Sequence, residues 1–294
     1  MADYPVITQG GMEIPWVELR TKAMLANTTE DIDRNIEHAL ALNLPSFQQL
    51  VETESGAVSI VGSGPSLKEN WGKIKDVGGD IIACNAANQF LLERGVVPKY
   101  WMCFDADPLM LEFITPRPDI TYLMASRSPP KAFEMLEGCK VVCWHAQGDE
   151  NIQNILEKHN RMEPMIPGGA AAVTRAMVMA QPMGYREIHL WGCDSSFLNG
   201  ETHIRQSTTQ EKSLHIMCNN RVFHCAPWMA QQAGDFKVLA PALRDNFGVK
   251  LIVRGDGLIP HLAKAMGFDV DGESRSKQLW RAARHKAGIL WSQL

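Results

Sequence analysis

The sequence has no apolar run that approaches a membrane span, which takes about 20 residues. Its first residues, MADYPVITQGGMEIPW, lack the basic start and apolar core of a secretory signal. Positive charge is not in excess either, because 29 Lys and Arg stand against 33 Asp and Glu, so the basic signature of a nucleic-acid-binding protein is missing. These absences predict a cytoplasmic chain that has no transmembrane segment and does not bind nucleic acid.

The cysteines do not form the pattern of a disulfide-bonded fold. There are seven of them, an odd number, and no short, densely paired framework of the kind that secreted scaffolds use. Four of them, Cys84, Cys103, Cys143 and Cys193, lie within or just after apolar, β-like runs. We therefore expect reduced thiols that act as small core residues.

Short apolar runs alternate with helical stretches along most of the chain. Hydrophobic residues make up 45% of the sequence and charged residues 21%, which is typical of globular proteins. The predicted strands are 57–62, 80–84, 100–104, 121–125, 140–144, 187–191 and 249–253. Continuous apolar strands separated by helices predict a parallel sheet covered on both faces. The expected fold class is α/β, a Rossmann-like, doubly wound and mostly parallel sheet.

Departures from this alternation divide the chain. Residues 1–55 are acidic and predict a helical N-terminal prefix, followed by a nucleotide-binding domain over 56–272. Within that domain, 195–227 has no clear crossover helix and predicts a lid insertion. Residues 273–294 predict a basic C-terminal helix, which would pack on the prefix or on a second copy in a homo-oligomer.

Local spacing supports two of these elements. Ile32, Ile36 and Leu40 recur at helical spacing, and Thr28 stands before them as an N-cap candidate. Inside the insertion, Asn219-Asn220 separates two apolar runs and suits a left-handed hairpin turn. The sequence therefore predicts one helix in the prefix and one hairpin in the lid.

A glycine-containing turn follows the first predicted strand. Its residues are Gly62, Ser63, Gly64, Pro65 and Ser66. The glycines allow a tight turn and a close approach of the backbone, and Pro65 suits a first helical turn. A helix N-terminus after such a turn offers free N–H groups and the positive end of a dipole to a phosphate. The turn lacks the GK[ST] ending of a Walker A loop and the third glycine of GxGxxG.

Polar residues stand at the ends of the other predicted strands. They are Asn85, Asp105, Asp107, Ser126, His145 and Asp194. The carboxyl ends of parallel strands share one edge of the sheet, where ligands bind. Asp105 and Asp107 could hold Mg²⁺ against a diphosphate, or Asp107 could simply cap the helix that starts at Pro108.

The order of these motifs resembles that of the 6-hydroxymethylpterin diphosphokinase-like family, which also contains motility accessory factors. The resemblance rests on GSGPSL, CNAA and FDADP in the first half. In the second half it rests on PGGAAAVTRAMVMAQPMGYREIHLWGCDSSF and GETH. The chain is also similar, more distantly, to small bacterial sialyltransferases. The resemblance implies a bound nucleotide or nucleotide-sugar, with CMP in the glycosyltransferase branch and ATP in the diphosphokinase branch.

The resemblance also implies roles for individual residues. The nucleotide-binding set would be Gly62, Ser63, Gly64, Pro65, Ser66, Asn85, Asp105, Ser126, Gly168 and Gly169. Asp194 and His203 match the family's Gly-x-Asp and Thr-His elements and would be the catalytic pair. The sialyltransferases have Asn at the position of Ser63 and Ser at the position of Gly168, so the chain departs from them there.

Three functional hypotheses follow. The first is glycosyl transfer from a CMP-activated nonulosonic sugar, with no metal and with His203 as the base. The second is diphosphate transfer from ATP to a hydroxymethylpterin, with Mg²⁺ held by Asp105, Asp107 and Asp194. The third is a non-catalytic nucleotide- or sugar-binding protein. The aromatic residues expected to stack on a base or pterin are Trp101, Trp144 and Phe197.

Overall fold

The structure, a computed structural model, describes residues 27–204 and 214–270. Its strands are β1 (Ala57–Val61), β2 (Asp80–Cys84), β3 (Tyr100–Cys103), β4 (Thr121–Ala125), β5 (Lys140–Ala146), β6 (Met165–Ile166), β7 (Glu187–Trp191), β8 (Leu214–Cys218), β9 (Arg221–Cys225), β10 (Lys250–Val253) and β11 (Asp269–Val270). All seven predicted strands are present, and their ends differ from the prediction by at most two residues.

The helices complete an α/β alternation. They are α1 (Thr29–Ala41), α2 (Leu67–Asn70), α3 (Ile74–Val77), α4 (Ala87–Leu92), α5 (Pro130–Met135), α6 (Ile152–Lys158), α7 (Ala172–Met183), α8 (Pro227–Phe247) and α9 (Leu258–Ala265). Short 3-10 turns lie at Phe47–Leu50, Trp71–Lys73 and Pro108–Phe113. None of the helices in the described ranges is long and apolar enough to cross a membrane.

Nine strands of the described chain form one parallel sheet in the order β11-β10-β7-β1-β2-β3-β4-β5-β6. The chain starts in the middle at β1, winds outward to β6, and crosses back to β7 on the other side of β1. This is a doubly wound α/β fold, as the alternation of strands and helices predicts. The point where the winding reverses, between β1 and β7, is where such folds open a crevice.

Alternate side chains along each strand enter different apolar layers. Val58 and Ile60 of β1 pack in the layer that contains α7, α8 and α9, whereas Val61 packs in the layer that contains α4. Both faces of the central strands are therefore buried, which explains their continuous apolar runs. Six of the seven cysteines are buried and all seven are unpaired, in agreement with the expectation of core thiols.

The first described helix packs beside the sheet. Thr28 caps α1 in a capping box with Asp31, as its position predicts. Ile32, Ile36 and Leu40 form a small apolar cluster with residues of α6. The rest of the predicted prefix before residue 27 lies outside the described residues, as does the predicted basic helix over 273–294 with its role in oligomerisation.

The insertion contains the predicted hairpin. Strands β8 and β9 pair antiparallel, and Asn219 and Asn220 form the two-residue turn with φ of 49° and 60°. The crossover helix back to the sheet is α8, which begins where the insertion ends. Residues 205–213 of the insertion lie outside the described part.

Candidate functional site

A pocket of about 880 Å³ opens at the carboxyl edge of the sheet, and residues of the loops after β1 and β7 form part of its wall. Ten of the predicted site residues line it, and they are Gly62, Ser63, Gly64, Asn85, Asp105, Asp107, Gly168, Gly169, Asp194 and His203. Pro65, Ser66 and Ser126 are outside its wall. The fold thus brings most of the predicted set to one place, at the position where doubly wound proteins bind ligands.

The loop after β1 is bound to the loop after β7. Gly64 N–H donates to the Gly192 carbonyl at 2.8 Å, and Ser66 N–H donates to Asp194 Oδ2 at 2.8 Å. A Cβ on Gly64 would lie 2.5 Å from Asp194 Oδ2 and 2.6 Å from the Gly192 oxygen. The glycine is therefore required for close contact between the two loops. The backbone N–H groups of Gly64 and Ser66, which were expected to face a phosphate, therefore already have protein partners.

Asp194 holds this contact from a buried position. The residue is 1% exposed, and its second oxygen, Oδ1, has no hydrogen-bond partner among the described residues. Burial raises the pKa of Asp194 above its ordinary value, although hydrogen bonds from Ser66 oppose the shift. One oxygen of Asp194 therefore fixes the β1 loop, and the catalytic role expected from the sequence stays a prediction.

The second glycine pair leads into α7, whose first residues lie at the pocket. Ala170–Thr174 line the pocket, and the N-cap residue Ala171 supplies no capping side chain. The first amides of a helix have no intrahelical acceptor, so this terminus presents donors and a positive dipole end to the pocket. Gly169 has a φ of +72°, and a Cβ there would lie 1.9 Å from Asp235 Oδ2. Glycine is therefore required at this turn.

Asn85 stands between these two loops at the end of β2. Its φ is 49°, in the left-handed region that Asn tolerates. The backbone carbonyl of Asn85 accepts a hydrogen bond from Trp101 Nε1 at 3.0 Å, while its side-chain Oδ1 is buried without a partner in the described residues. Because Asn85 also lines the pocket, its side-chain oxygen is a candidate acceptor for a bound ligand.

The two aspartates after β3 are engaged locally. Asp107 Oδ1 accepts the Leu109 N–H at 2.9 Å and caps the 3-10 turn that starts at Pro108, whereas Asp105 Oδ1 accepts the Asp107 N–H at 3.1 Å. The Asp105 side chain is in contact with water inside the pocket, but protein surrounds it on the other sides. The resulting partial desolvation raises its pKa.

The carboxylates of the predicted Mg²⁺ site do not form a three-ligand cluster in the described part of the chain. Within residues 27–204 and 214–270, no three His, Cys, Asp or Glu side chains come close enough to hold a metal ion. The set Asp105, Asp107 and Asp194 is therefore not assembled. A site made by Asp105 and Asp107 alone stays a prediction.

A group of residues that the sequence analysis missed lies at the far end of the pocket, beyond β3 and β4. Arg127 Nη1 donates to Asp149 Oδ1 at 2.8 Å, and Arg127 Cζ lies 4.8 Å from the ring centroid of Phe104. Arg175 of α7 lies over the same ring at 4.2 Å. Its guanidinium donates to the backbone carbonyls of residues 147 and 166, and burial lowers its pKa to about 10.

His203 reaches the pocket from the first part of the insertion. Its ring stacks on Trp228 of α8, with centroids 5.6 Å apart and an angle of 13° between the rings. The next residue, Ile204, donates its N–H to the Ser63 carbonyl at 2.9 Å. Lys68 and Glu201 form an ion pair at 2.6 Å. The segment that carries His203 is thus attached to the β1 loop and to α2.

Ser126 and two of the expected stacking residues are inside the protein. Ser126 is fully buried, and its Oγ lies 2.9 Å from Nδ1 of His145, whose pKa burial lowers. Trp101 and Trp144 are also buried, and Trp144 stacks on Phe104. The aromatic side chains at the pocket wall are instead Phe104 and Trp228.

The family described as 6-hydroxymethylpterin diphosphokinase MptE-like matches residues 28–200. This is more than half of the 294 residues, and the chain belongs to that family. The match ends just before His203, so it covers the β1 loop, the start of α7 and Asp194. No curated protein matches the sequence.

Among solved structures, the chain is similar to the MAf glycosyltransferase from Magnetospirillum magneticum AMB-1. The TM-score is 0.59 at 18% sequence identity, and the match covers 79% of this chain and 37% of that one. The two share a fold, and this chain spans well under half of the larger protein. A mammalian sialyltransferase in complex with Gal-beta-1-3GalNAc-ortho-nitrophenol matches at a TM-score of 0.38 and 12% identity, covering 85% and 90% of the two chains. That similarity is too low to carry an argument.

Proposed function

We propose that this protein is a nucleotide-dependent glycosyltransferase whose donor is a CMP-activated nonulosonic sugar. The observation that carries the proposal is the N-terminus of α7, which opens uncapped into the pocket beside the unpartnered Oδ1 of Asn85. A helix of this length presents several amides to one phosphate. Membership of a family named for a transferase, and a fold shared with a glycosyltransferase, support the same class.

In the proposed reaction, an acceptor hydroxyl oxygen forms a bond to the anomeric carbon while the bond from that carbon to the phosphate oxygen breaks. The phosphate oxygen keeps the electron pair and leaves with CMP, and the first amides of α7 stabilise its charge. His203 takes the proton of the acceptor hydroxyl. Asp194 keeps the β1 loop in place through Ser66, and no step uses a metal ion.

The test is release of CMP from a CMP-activated nonulosonic sugar, measured with and without EDTA. We expect turnover that EDTA leaves unchanged. His203→Gln should lower kcat by about 100-fold or more because the general base is lost. The affinity for CMP should stay within about threefold, since other residues hold the phosphate and the nucleobase. His159→Gln, at the end of α6 and paired with Glu37, is the matched control and should leave both quantities unchanged.

The same assay, run also with ATP and a hydroxymethylpterin and with CMP alone, tests the other two hypotheses. Turnover of ATP with a hydroxymethylpterin that EDTA abolishes would replace glycosyl transfer by the diphosphokinase reaction for which the family is named. Binding of CMP, seen as thermal stabilisation, without turnover of any donor would leave a non-catalytic nucleotide-binding protein.

A further inference from the structure

The group at the far end of the pocket has the composition of a nucleobase site. Asp149 is 9% exposed, and while its Oδ1 accepts from Arg127, its Oδ2 is buried with no partner in the described residues. The Nε of Arg127 also has no partner there. Next to this ion pair lies the aromatic ring of Phe104. All three residues line the pocket.

The position of this group relative to α7 matches the reach of a nucleotide. Arg175 belongs to the first turns of α7, and its guanidinium extends as far as Phe104. The aromatic ring is therefore about one arginine side chain away from the amides that we assign to the phosphate. A ribose fills a gap of that size between a phosphate and its base.

We propose that Asp149 and Arg127 together recognise the hydrogen-bonding edge of the nucleobase. A carboxylate accepts hydrogen bonds only, and a guanidinium donates only. Held side by side, they complement a base that presents an exocyclic amino group next to an unprotonated ring nitrogen on the edge far from the ribose. Cytosine and adenine share this edge. Uracil and hypoxanthine have a carbonyl and a protonated nitrogen at the same positions, so they would place oxygen against Asp149.

This inference rests on the proposed nucleotide site and adds the residues that choose the base. It also places the base towards the ends of β3 and β4. Buried charged groups discriminate strongly between bases. A mismatched base would leave the second oxygen of Asp149 unpaired, and the polar atoms of the base would be unpaired as well.

The test is calorimetric titration of the full chain with four nucleoside monophosphates. CMP should bind at least about tenfold more tightly than UMP, and AMP at least about tenfold more tightly than IMP. Comparing the two tighter ligands shows which of the two ring sizes the pocket takes. Equal affinities within both pairs would overturn the inference and leave the nucleotide site intact, while no binding of any of the four would overturn the proposed function itself.

The variant Asp149→Asn tests whether Asp149 itself sets the preference for CMP over UMP. An asparagine amide can turn either its oxygen or its NH₂ group towards the base, so the preference for CMP over UMP should fall below about threefold. Glu150→Gln is the matched control, because it removes the same charge from the neighbouring pocket-lining residue, and it should leave the preference intact. A uniform loss of affinity for all four ligands in Asp149→Asn would show a structural role and overturn the assignment.

Discussion

The two edges of the parallel sheet differ in how their polar side chains are paired. At the amino edge, Lys99 Nζ lies 2.6 Å from Glu54 and 2.8 Å from Asp80. The Tyr100 hydroxyl donates to Glu54 at 2.5 Å, and the Tyr185 hydroxyl donates to Asp80 at 2.6 Å. These five side chains, here called the amino-edge network, satisfy one another and join β2, β3 and the start of β7 to the chain before β1.

At the carboxyl edge, several buried polar atoms of the described residues have no partner. They include Asn85 Oδ1, Arg127 Nε, Asp149 Oδ2 and Asp194 Oδ1. An unsatisfied buried polar atom costs about 1–3 kcal/mol, and residues that carry such atoms at a pocket wall are candidates for ligand contacts. The comparison therefore separates an edge that stabilises the fold from an edge that is shaped for binding. The following predictions test that separation.

The largest effect is expected where the two carboxyl-edge loops touch. Gly64→Ala should lower the free energy of unfolding by about 3 kcal/mol or more, because the new Cβ would overlap Asp194 and Gly192. Urea unfolding measures the loss. Gly72→Ala is the control, since nothing lies within 4 Å of a Cβ there. A Gly64→Ala variant as stable as wild type would show that the loops do not pack as described.

The amino-edge network should respond in stability alone. Lys99→Met leaves Glu54 and Asp80 without their cation, and we expect a loss of about 1.5 kcal/mol in the free energy of unfolding, because solvent screens the partly exposed ammonium. CMP affinity should not change, because the two edges are at opposite ends of the strands. Lys131→Met removes an exposed pair with Glu134 and should cost about 0.5 kcal/mol or less. A matching loss of CMP affinity in Lys99→Met would break the separation.

A smaller change of opposite sign is expected at Asn88. This residue of α4 is fully buried, neither of its amide atoms has a partner in the described chain, and it does not line the pocket. Asn88→Leu should raise the free energy of unfolding by about 1 kcal/mol and leave CMP binding unchanged. Asn154→Leu, on the exposed side of α6, controls for helix propensity. Destabilisation by Asn88→Leu would mean that the amide is satisfied in solution.

The most subtle test concerns the pH dependence of stability. The folded pKa of Asp194 is raised by burial, so the native state holds this proton to higher pH than the unfolded chain does. Stability from this group falls as pH rises from the ordinary carboxyl range through the folded pKa. Asp194→Asn should therefore make the slope of unfolding free energy against pH more positive above about pH 4, where the unfolded chain has lost this proton.

Asp80 should shift that slope the other way. Burial acts to raise its pKa, but hydrogen bonds from Lys99 and Tyr185 outweigh burial, and the folded pKa lies below its ordinary value. The stability that Asp80 contributes is fully present above its pKa in the unfolded chain. It is lost as the pH falls through the pKa of Asp80 in the folded protein. Asp80→Asn should thus make the slope more negative. Slopes that change in the same direction in the two variants would contradict the comparison.

The sequence predicts the sheet well because its central strands are buried on both faces. Runs such as 57–62 and 121–125 are mostly apolar and do not alternate with polar residues, and that pattern is typical of strands buried on both faces. The two-residue strands β6 and β11 escape prediction because they are too short to show a period. The hairpin is predictable from Asn219-Asn220, since consecutive left-handed residues favour that turn.

The site is predictable only in part because it depends on strand order. Residues that follow predicted strands, such as Asn85 and Asp105, reach the pocket as expected. Arg127 and Asp149 are 22 residues apart in sequence, and each looks like an ordinary loop residue. Their pairing exists only because β4 and β5 are neighbours in the sheet. Ser126 follows the same strand end as Arg127, but its side chain turns inward to His145.

The contact between Ser66 and Asp194 joins residues 128 positions apart, which bears on synthesis of the chain. While the ribosome is still making the first half, β1 can pair with β2 on one side only, because its other neighbour is β7. Until residues 187–191 emerge, a nascent chain carries an apolar strand with an open edge. The pocket wall is completed only when that gap is filled, so a truncated translation product would lack it and would present a template for aggregation.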